Sequence, residues 1–269
     1  MRFISKIRPE YFFVVIALFF HWRFNKVTPP FQVPDEFNHF YKAYKISQGE
    51  FLPIKENNRL GGTIPWSVRE YIRPFNKVAT NVKYTTSEGE INGSFDLKFS
   101  ERDSIFVDFP NTAIYSVVSY APQAFAIFIT KQFKDVSVGR IYYNGRYITF
   151  LCWLVGMFFV IRLIPFGKWL MTLVILLPMN LYVANSFSAD TVTNILGLLF
   201  IAYVLKLSLQ EKKISYWNIA FLLLMVILLT FAKVVYVGLV ILILVIPPKQ
   251  FKNIYVYASS ALLLFLTAF

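Results

Sequence analysis

The chain has one cysteine, Cys152, and it lies inside an apolar run. An intrachain disulfide is excluded, so any long polar loop must be ordered by packing and hydrogen bonds. The thiol is expected to act as small apolar core filling. Charge is also scarce: charged residues are 16% of the chain, against about 25% in a typical soluble protein. Acidic residues thin out along the sequence, and after Asp135 only Asp190 and Glu211 remain. GxGxxG, a phosphate-loop glycine-lysine motif, CxxC, HExxH and GxSxG are all missing, so nothing points to dinucleotide, nucleotide, thiol, zinc-protease or serine-hydrolase chemistry. No heptad or internal repeat stands out.

What the chain has in plenty is apolar surface. Hydrophobic residues make up 57%, with a mean hydropathy of +0.53, and there are 29 Phe and 16 Tyr. Water could not be kept from so much apolar area by so few polar groups, so an integral membrane protein is expected, in a bilayer of lipids. The net charge of +12 is read as anchoring to anionic lipid rather than nucleic-acid binding, because the cations sit between apolar stretches or in one long polar loop. At the N-terminus Arg2, Lys6 and Arg8 precede the apolar stretch Tyr11 to Phe20. His21, Trp22, Arg23 and Phe24 follow in place of a small-residue cleavage site, so the stretch reads as an uncleaved first span.

Further apolar segments recur at Tyr147–Ile164, Trp169–Ala184, Thr191–Leu207, Trp217–Phe231, Val237–Ile246 and Tyr255–Phe269. With their flanks, each suits a spanning helix of roughly 20 residues. Thr112–Thr130 is ambiguous, since Ser116, Ser119, Tyr120, Pro122 and Gln123 interrupt it. If it lies along the outer interface or re-enters, the linkers with Arg162 and Lys168, with Lys206, Lys212 and Lys213, and with Lys249 and Lys252 all face the cytoplasm. If it spans, every one of them flips outward. The positive-inside bias of short loops selects the first arrangement. The expectation is an all-α polytopic protein of the cytoplasmic membrane with about seven spanning helices. It forms one membrane domain over residues 1–269, with its N-terminus inside and a long first loop, 28–146, outside. The chain stops within the apolar run ALLLFLTAF, which reads as part of a longer protein.

This parity gathers the polar candidates at one face. PPFQVPDEFNHFYKAYKISQG, from Pro29 to Gly49, predicts a short helix. Pro34 suits its first turn and Gly49 its stop, and Phe37, Phe40, Tyr41 and Tyr44 make an aromatic face laid on the outer leaflet. Asp35 and Glu36, with His39 at helical spacing, can form a catalytic or metal-binding group; acidic residues also favour helix N-termini for electrostatic reasons alone. Asp190, in NSFSAD, is a ready N-cap that can also orient a sugar hydroxyl. Lys233 and Tyr236 fall at an outer helix end, suited to a lipid phosphate or to plain interfacial anchoring. Arg140 and Arg146 are further outer cations, and Tyr115, Tyr120 and Pro122 can line a lipid entrance or fix the interfacial segment. In the loop, Asn57-Asn58, Gly61-Gly62, Glu88-Gly89 and Asn92-Gly93 are turn signals. Ile91–Phe99 reads as a small hairpin, and Trp66, Tyr71 and Phe75 as packing residues.

Taken together, VPDEFNHFYKAYKISQG, YSVVSYAP, SFSAD and AKVVY resemble the DUF2142-type family of bacterial predicted membrane proteins, itself similar to the membrane glycosyltransferases of GT-C type. The resemblance runs over nearly the whole chain, as the N-terminal portion of such a protein. It implies transfer of a sugar from a polyprenyl-phosphate-linked donor to a cell-surface polysaccharide or other glycan acceptor outside the membrane, with inversion. It also implies an acidic residue just after the first span that acts as general base or positions the acceptor. Asp35 matches that place, with Glu36 as the neighbouring alternative. Lys233 and an outer arginine would offset charge on the departing lipid phosphate. Some such enzymes use a divalent cation, for which Asp35 and Glu36 would be ligands. Other classes that fit the pattern are a transporter or flippase of lipid-linked glycan and an inactive truncated membrane protein. The later spans are mostly apolar between their ends, which favours a surface site over a translocation path.

Overall fold

The structure is a computed structural model that describes residues 7–78, 81 and 83–268. It is mostly helical with one three-stranded sheet. Among the described residues two helices, Val138–Leu163 and Asp190–Leu209, are long and apolar enough to cross a membrane.

The chain divides into two compact units. The first, Leu18–Cys152 with Pro178–Thr191, is built around the long loop. It takes the end of helix α1 (Pro9–Val27), then α2 (Glu36–Ser47), strands β1 (Ile54–Glu56) and β2 (Arg59–Pro65), α3 (Trp66–Ile72), α4 (Glu88–Gly93), β3 (Ser104–Asp108), α5 (Pro110–Ala113) and α6 (Ala121–Thr130). It also holds the start of α7 (Val138–Leu163) and α9 (Pro178–Ala184). Asn57 and Asn58 both have positive φ (48° and 61°), the backbone of a tight hairpin turn, and they join β1 to β2 in antiparallel register with Ile54 opposite Gly61. β3 completes the sheet on the other side of β2. The hairpin therefore lies at 54–65, not at 91–99. Residues 88–93 are helical because Ser87 and Glu90 form a reciprocal capping box.

α2 is the centre of this unit. It ends in a Schellman motif: Gly49, at φ 81°, donates to the Ile46 carbonyl at 2.9 Å, and Glu50 donates to that of Lys45 at 3.0 Å. It does not lie on a flat surface with only its aromatic face covered. From Glu36 to Ser47 every residue except Phe37 is buried, polar ones included. The loop is long enough to wrap it with α5, α6 and β2. Lys42, whose burial pulls its ammonium below its ordinary value, donates to the carbonyls of Phe51 and Ala113. An aromatic cluster forms the core. Phe31 meets Phe40, Tyr71, Phe75 and Tyr142, and Tyr142 stacks on Phe187 at 5.3 Å and 15°. Such ring pairs add about 0.5–1.5 kcal/mol each beyond burial. Tyr71 and Phe75 are core residues, whereas Trp66 is exposed.

Thr112–Thr130 is no continuous helix. α5, a 3-10 turn at Val117–Tyr120 and α6 share it, and the ten residues of α6 reach about 15 Å, half a bilayer core.

The second unit holds, of the described residues, 7–17, 153–177 and 192–268. Its elements are the start of α1, the end of α7, α8 (Lys168–Ile175), α10 (Asp190–Leu209) from Val192 onward, α11 (Tyr216–Ala232), a 3-10 helix at Val234–Val245 and α12 (Ile254–Ala268). The apolar run Trp169–Ala184 is not one helix, since α8 stops before Pro178 and α9 begins there. Proline has no N–H to give and its ring collides with the carbonyl four residues back, and Leu177 turns its N–H to Val174 instead. Val237–Ile246 falls on the 3-10 helix, in a run crowded with β-branched residues that are restrained in an α-helix. Cys152 is exposed on α7, not in the core. Arg8, Glu10, Arg162 and Lys168 surround one recess, and the 210–215 and 249–252 linkers are joined by Ile214 donating to the Gln250 carbonyl at 2.8 Å.

Gly145 on α7 shows how tightly the first unit is packed. A Cβ there would stand 2.1 Å from the Phe187 ring, and that ring is held by Tyr142 and Phe40. Gly145→Ala is expected to cost about 1–3 kcal/mol through overpacking, measured as a lower unfolding midpoint of the detergent-solubilised protein. An unchanged midpoint would mean that the ring has room to move.

Candidate functional site

The site begins where α1 gives way to α2. Pro29, Pro30 and Pro34 forbid a continuous helix. Two non-glycine residues in this stretch take left-handed backbone, Phe31 at φ 62° and Asp35 at φ 58°. Such a residue costs roughly 1–2 kcal/mol, less for aspartate, whose short polar side chain tolerates it. Phe31 is held by its N–H donating to the Tyr142 hydroxyl at 3.1 Å and by its buried ring. Asp35 is the residue before α2, and Pro34 lies outside the helix, not in its first turn. The left-handed turn separates two adjacent carboxylates, leaving Asp35 exposed and Glu36 fully buried.

Glu36 is committed to Arg146. Nε of Arg146 donates to Oε1 at 3.1 Å and Nη2 to Oε2 at 2.9 Å. The Phe187 N–H also donates to Oε1, at 3.1 Å. The guanidinium's remaining donors reach the carbonyls of Thr28 and Pro29, each at 3.3 Å. One ion pair, 1% and 0% exposed, thus fastens four segments: the exit of α1, the start of α2, α7 and the 185–189 linker. Bidentate, charge-assisted geometry of this kind is the strong form of the interaction.

Asp35 faces a cavity of about 320 Å³, with His39, Asn111, Tyr115, Ser188 and Asp190 around it and Tyr182 and Val183 as an apolar wall. Asn111 donates to Asp35 Oδ1 at 3.2 Å. His39 Nδ1 is 2.7 Å from the Tyr120 hydroxyl, which fixes the imidazole. Burial raises the Tyr120 phenol well above its ordinary value, with the carboxylates of Asp190 and Asp35 adding to the rise, so it stays protonated. Asp190 lies in the first turn of α10, and the Ser188 hydroxyl accepts the Asp190 N–H at 3.2 Å. The cavity therefore offers two carboxylates, one imidazole, a carboxamide and hydroxyls, a set suited to binding polyols and moving a proton.

Of the residues singled out in the sequence, Asp35, His39 and Asp190 come together here, and Tyr115 joins them. Arg146 is sealed with Glu36. Arg140 is exposed and lines a different cavity. Lys233 and Tyr236 belong to the other unit, at the end of α11 and in the following 3-10 helix, where the Tyr236 N–H donates to the Lys233 carbonyl. Asn111, Ser188 and Tyr182 were not anticipated. Ser188 had a signal, as it precedes Asp190 by two residues in SFSAD; Asn111 and Tyr182 had none. Among the described residues no three His, Cys, Asp or Glu side chains are placed to hold a metal ion. A divalent cation therefore does not fit Asp35 with Glu36, whose oxygens face Arg146.

Residues 18–269 match the family model described as predicted membrane protein (DUF2142). The chain belongs to that family. No curated protein and no solved structure matches it.

Proposed function

We propose that this DUF2142 protein is a membrane glycosyltransferase that works at the Asp35 cavity. It moves a sugar from a polyprenyl-phosphate donor to a hydroxyl of a glycan on the non-cytoplasmic face. The observation that carries the reading is the split between neighbouring carboxylates: Glu36 is locked to Arg146, while Asp35 is held open at a polar cavity with Asp190.

In this reading Asp35 takes the proton from the acceptor hydroxyl as its oxygen forms a bond to the sugar C1. The bond from C1 to the phosphate oxygen breaks, its electron pair leaves with the lipid phosphate, and the anomeric centre inverts. Asp190 and Asn111 hold sugar hydroxyls, and the His39–Tyr120 pair supports the wall beside them. Lys233 as a phosphate partner rests on the resemblance to GT-C enzymes alone, and Arg140, which lines a different cavity, has no part in the transfer.

The topology proposed with it has about seven spans: α1, α7, α8 with α9, α10, α11, the 234–245 helix and α12. Two observations favour it. The shared cavity of Asp35 and Asp190 suits their common outer side. The recess joining Arg8 with Arg162 and Lys168 suits a common cytoplasmic side for the N-terminus and the first basic linker.

The test is made on native membranes that contain the protein, supplied with labelled polyprenyl-phosphate sugars. Label is expected to move into glycan, and the lipid sugar that supports transfer is the donor. Label that crosses the membrane while still on its lipid, with no protein-dependent transfer, would favour a flippase instead.

A further inference from the structure

The first unit contains a second cavity, about 760 Å³, that shares no lining residue with the Asp35 cavity. Trp22 and Lys26 enter it from the last turns of α1, Glu88 from α4, and Arg140, Tyr143 and Tyr147 from one stripe of α7. The Lys26 ammonium stands 4.4 Å over the Trp22 ring. Phe95 stacks on Tyr143 at 5.2 Å and 21°, which stiffens the wall. Charges of both signs thus line one space. Among the described residues no ion pair joins Glu88 to Lys26 or Arg140.

The aromatic rim locates the cavity in the membrane. Trp22 and Tyr147 are 51% and 44% exposed, and they sit where the apolar runs Tyr11–Phe20 and Tyr147–Ile164 meet the polar loop. Tryptophan and tyrosine at such ends belong at headgroup level. Cations beside them attract phosphate. A headgroup that carried only phosphate would leave Glu88 as a repulsive neighbour. One with a primary amine beside its phosphate uses all three charges.

We propose that this cavity binds an amine-bearing phospholipid, with its phosphodiester on Lys26 and Arg140 and its ammonium at Glu88. The site is separate from the transfer site and stands or falls independently of it, since no transfer is needed to observe it.

The experiment is native mass spectrometry of the detergent-purified protein with phosphatidylethanolamine, phosphatidylglycerol or soluble phosphoethanolamine. The wild-type protein is expected to retain phosphatidylethanolamine in preference to phosphatidylglycerol, and the soluble headgroup poorly. Lys26→Gln and Arg140→Gln each lower retention of both lipids about fivefold. Glu88→Gln abolishes the preference while phosphatidylglycerol is kept. Lys252→Gln removes a cation that also sits 4.4 Å over an aromatic ring, Tyr216, in the other unit, and it leaves retention unchanged. Equal retention of the two lipids by wild type overturns the proposal. So does a loss with Lys252→Gln as large as with Lys26→Gln, or soluble phosphoethanolamine bound as tightly as the lipid.

Discussion

Asp35→Asn is expected to lower sugar transfer by about 10²–10⁴-fold, the usual worth of a positioned general base, with the protein still folded. The fold survives because asparagine tolerates left-handed backbone at least as well as aspartate, and its side-chain oxygen can still accept from Asn111, as Asp35 does at 3.2 Å. Only the ability to take a proton is lost. Transfer measured against the amount of folded protein isolates that loss. A variant that unfolds would assign Asp35 to the loop's architecture; one that transfers normally would remove it from the chemistry.

Glu36→Gln has the opposite profile. The Arg146 guanidinium would remain buried without its counter-charge, and breaking a buried pair in this way costs about 3–5 kcal/mol. The Phe187 N–H keeps an acceptor, so the damage falls on the ion pair. The unfolding midpoint of the purified protein should drop sharply, and transfer should fall only with the amount folded. Glu36→Leu combined with Arg146→Met removes both charges and should recover part of the stability. Its shortfall is set by the Phe187 N–H and the Thr28 and Pro29 carbonyls, which all lose their side-chain partner. If the single substitution is as stable as wild type, the ion pair is not the fastener described above.

The apolar helices were legible in the sequence because they need little more than an uninterrupted apolar run, as with α10, α11 and α12. The stop of α2 was legible in Gly49, since few other residues take its φ of 81°. α7 begins nine residues before its apolar run, at Val138 instead of Tyr147. Its first turns carry Arg140, Tyr142, Tyr143 and Arg146, whose burial or cavity-facing role comes from the loop unit. Hydropathy cannot see a helix that leaves the apolar run and enters the aromatic core of a polar loop. The break at Pro178 was written in the sequence, but the apolar residues on both sides masked it.

The candidate site was half legible. The basic linkers implied that Asp35 and Asp190 share a side, and the two line one cavity. The choice between Asp35 and Glu36 was not readable. It depends on the left-handed turn at Asp35 and on Arg146, 110 residues away from Glu36, and neither a strained backbone nor a distant ion pair leaves a local pattern. Asn111 and Tyr182 were missed for a similar reason, since the folding of the loop alone brings them to Asp35.

The most direct test compares wild type, Asp35→Asn and Glu36→Gln in the same native membranes, dividing transferred label by folded protein. The account predicts wild-type folding with almost no transfer for Asp35→Asn, and near-normal transfer per folded molecule for Glu36→Gln. Normal transfer by Asp35→Asn, with loss confined to Glu36→Gln at full folding, would contradict it.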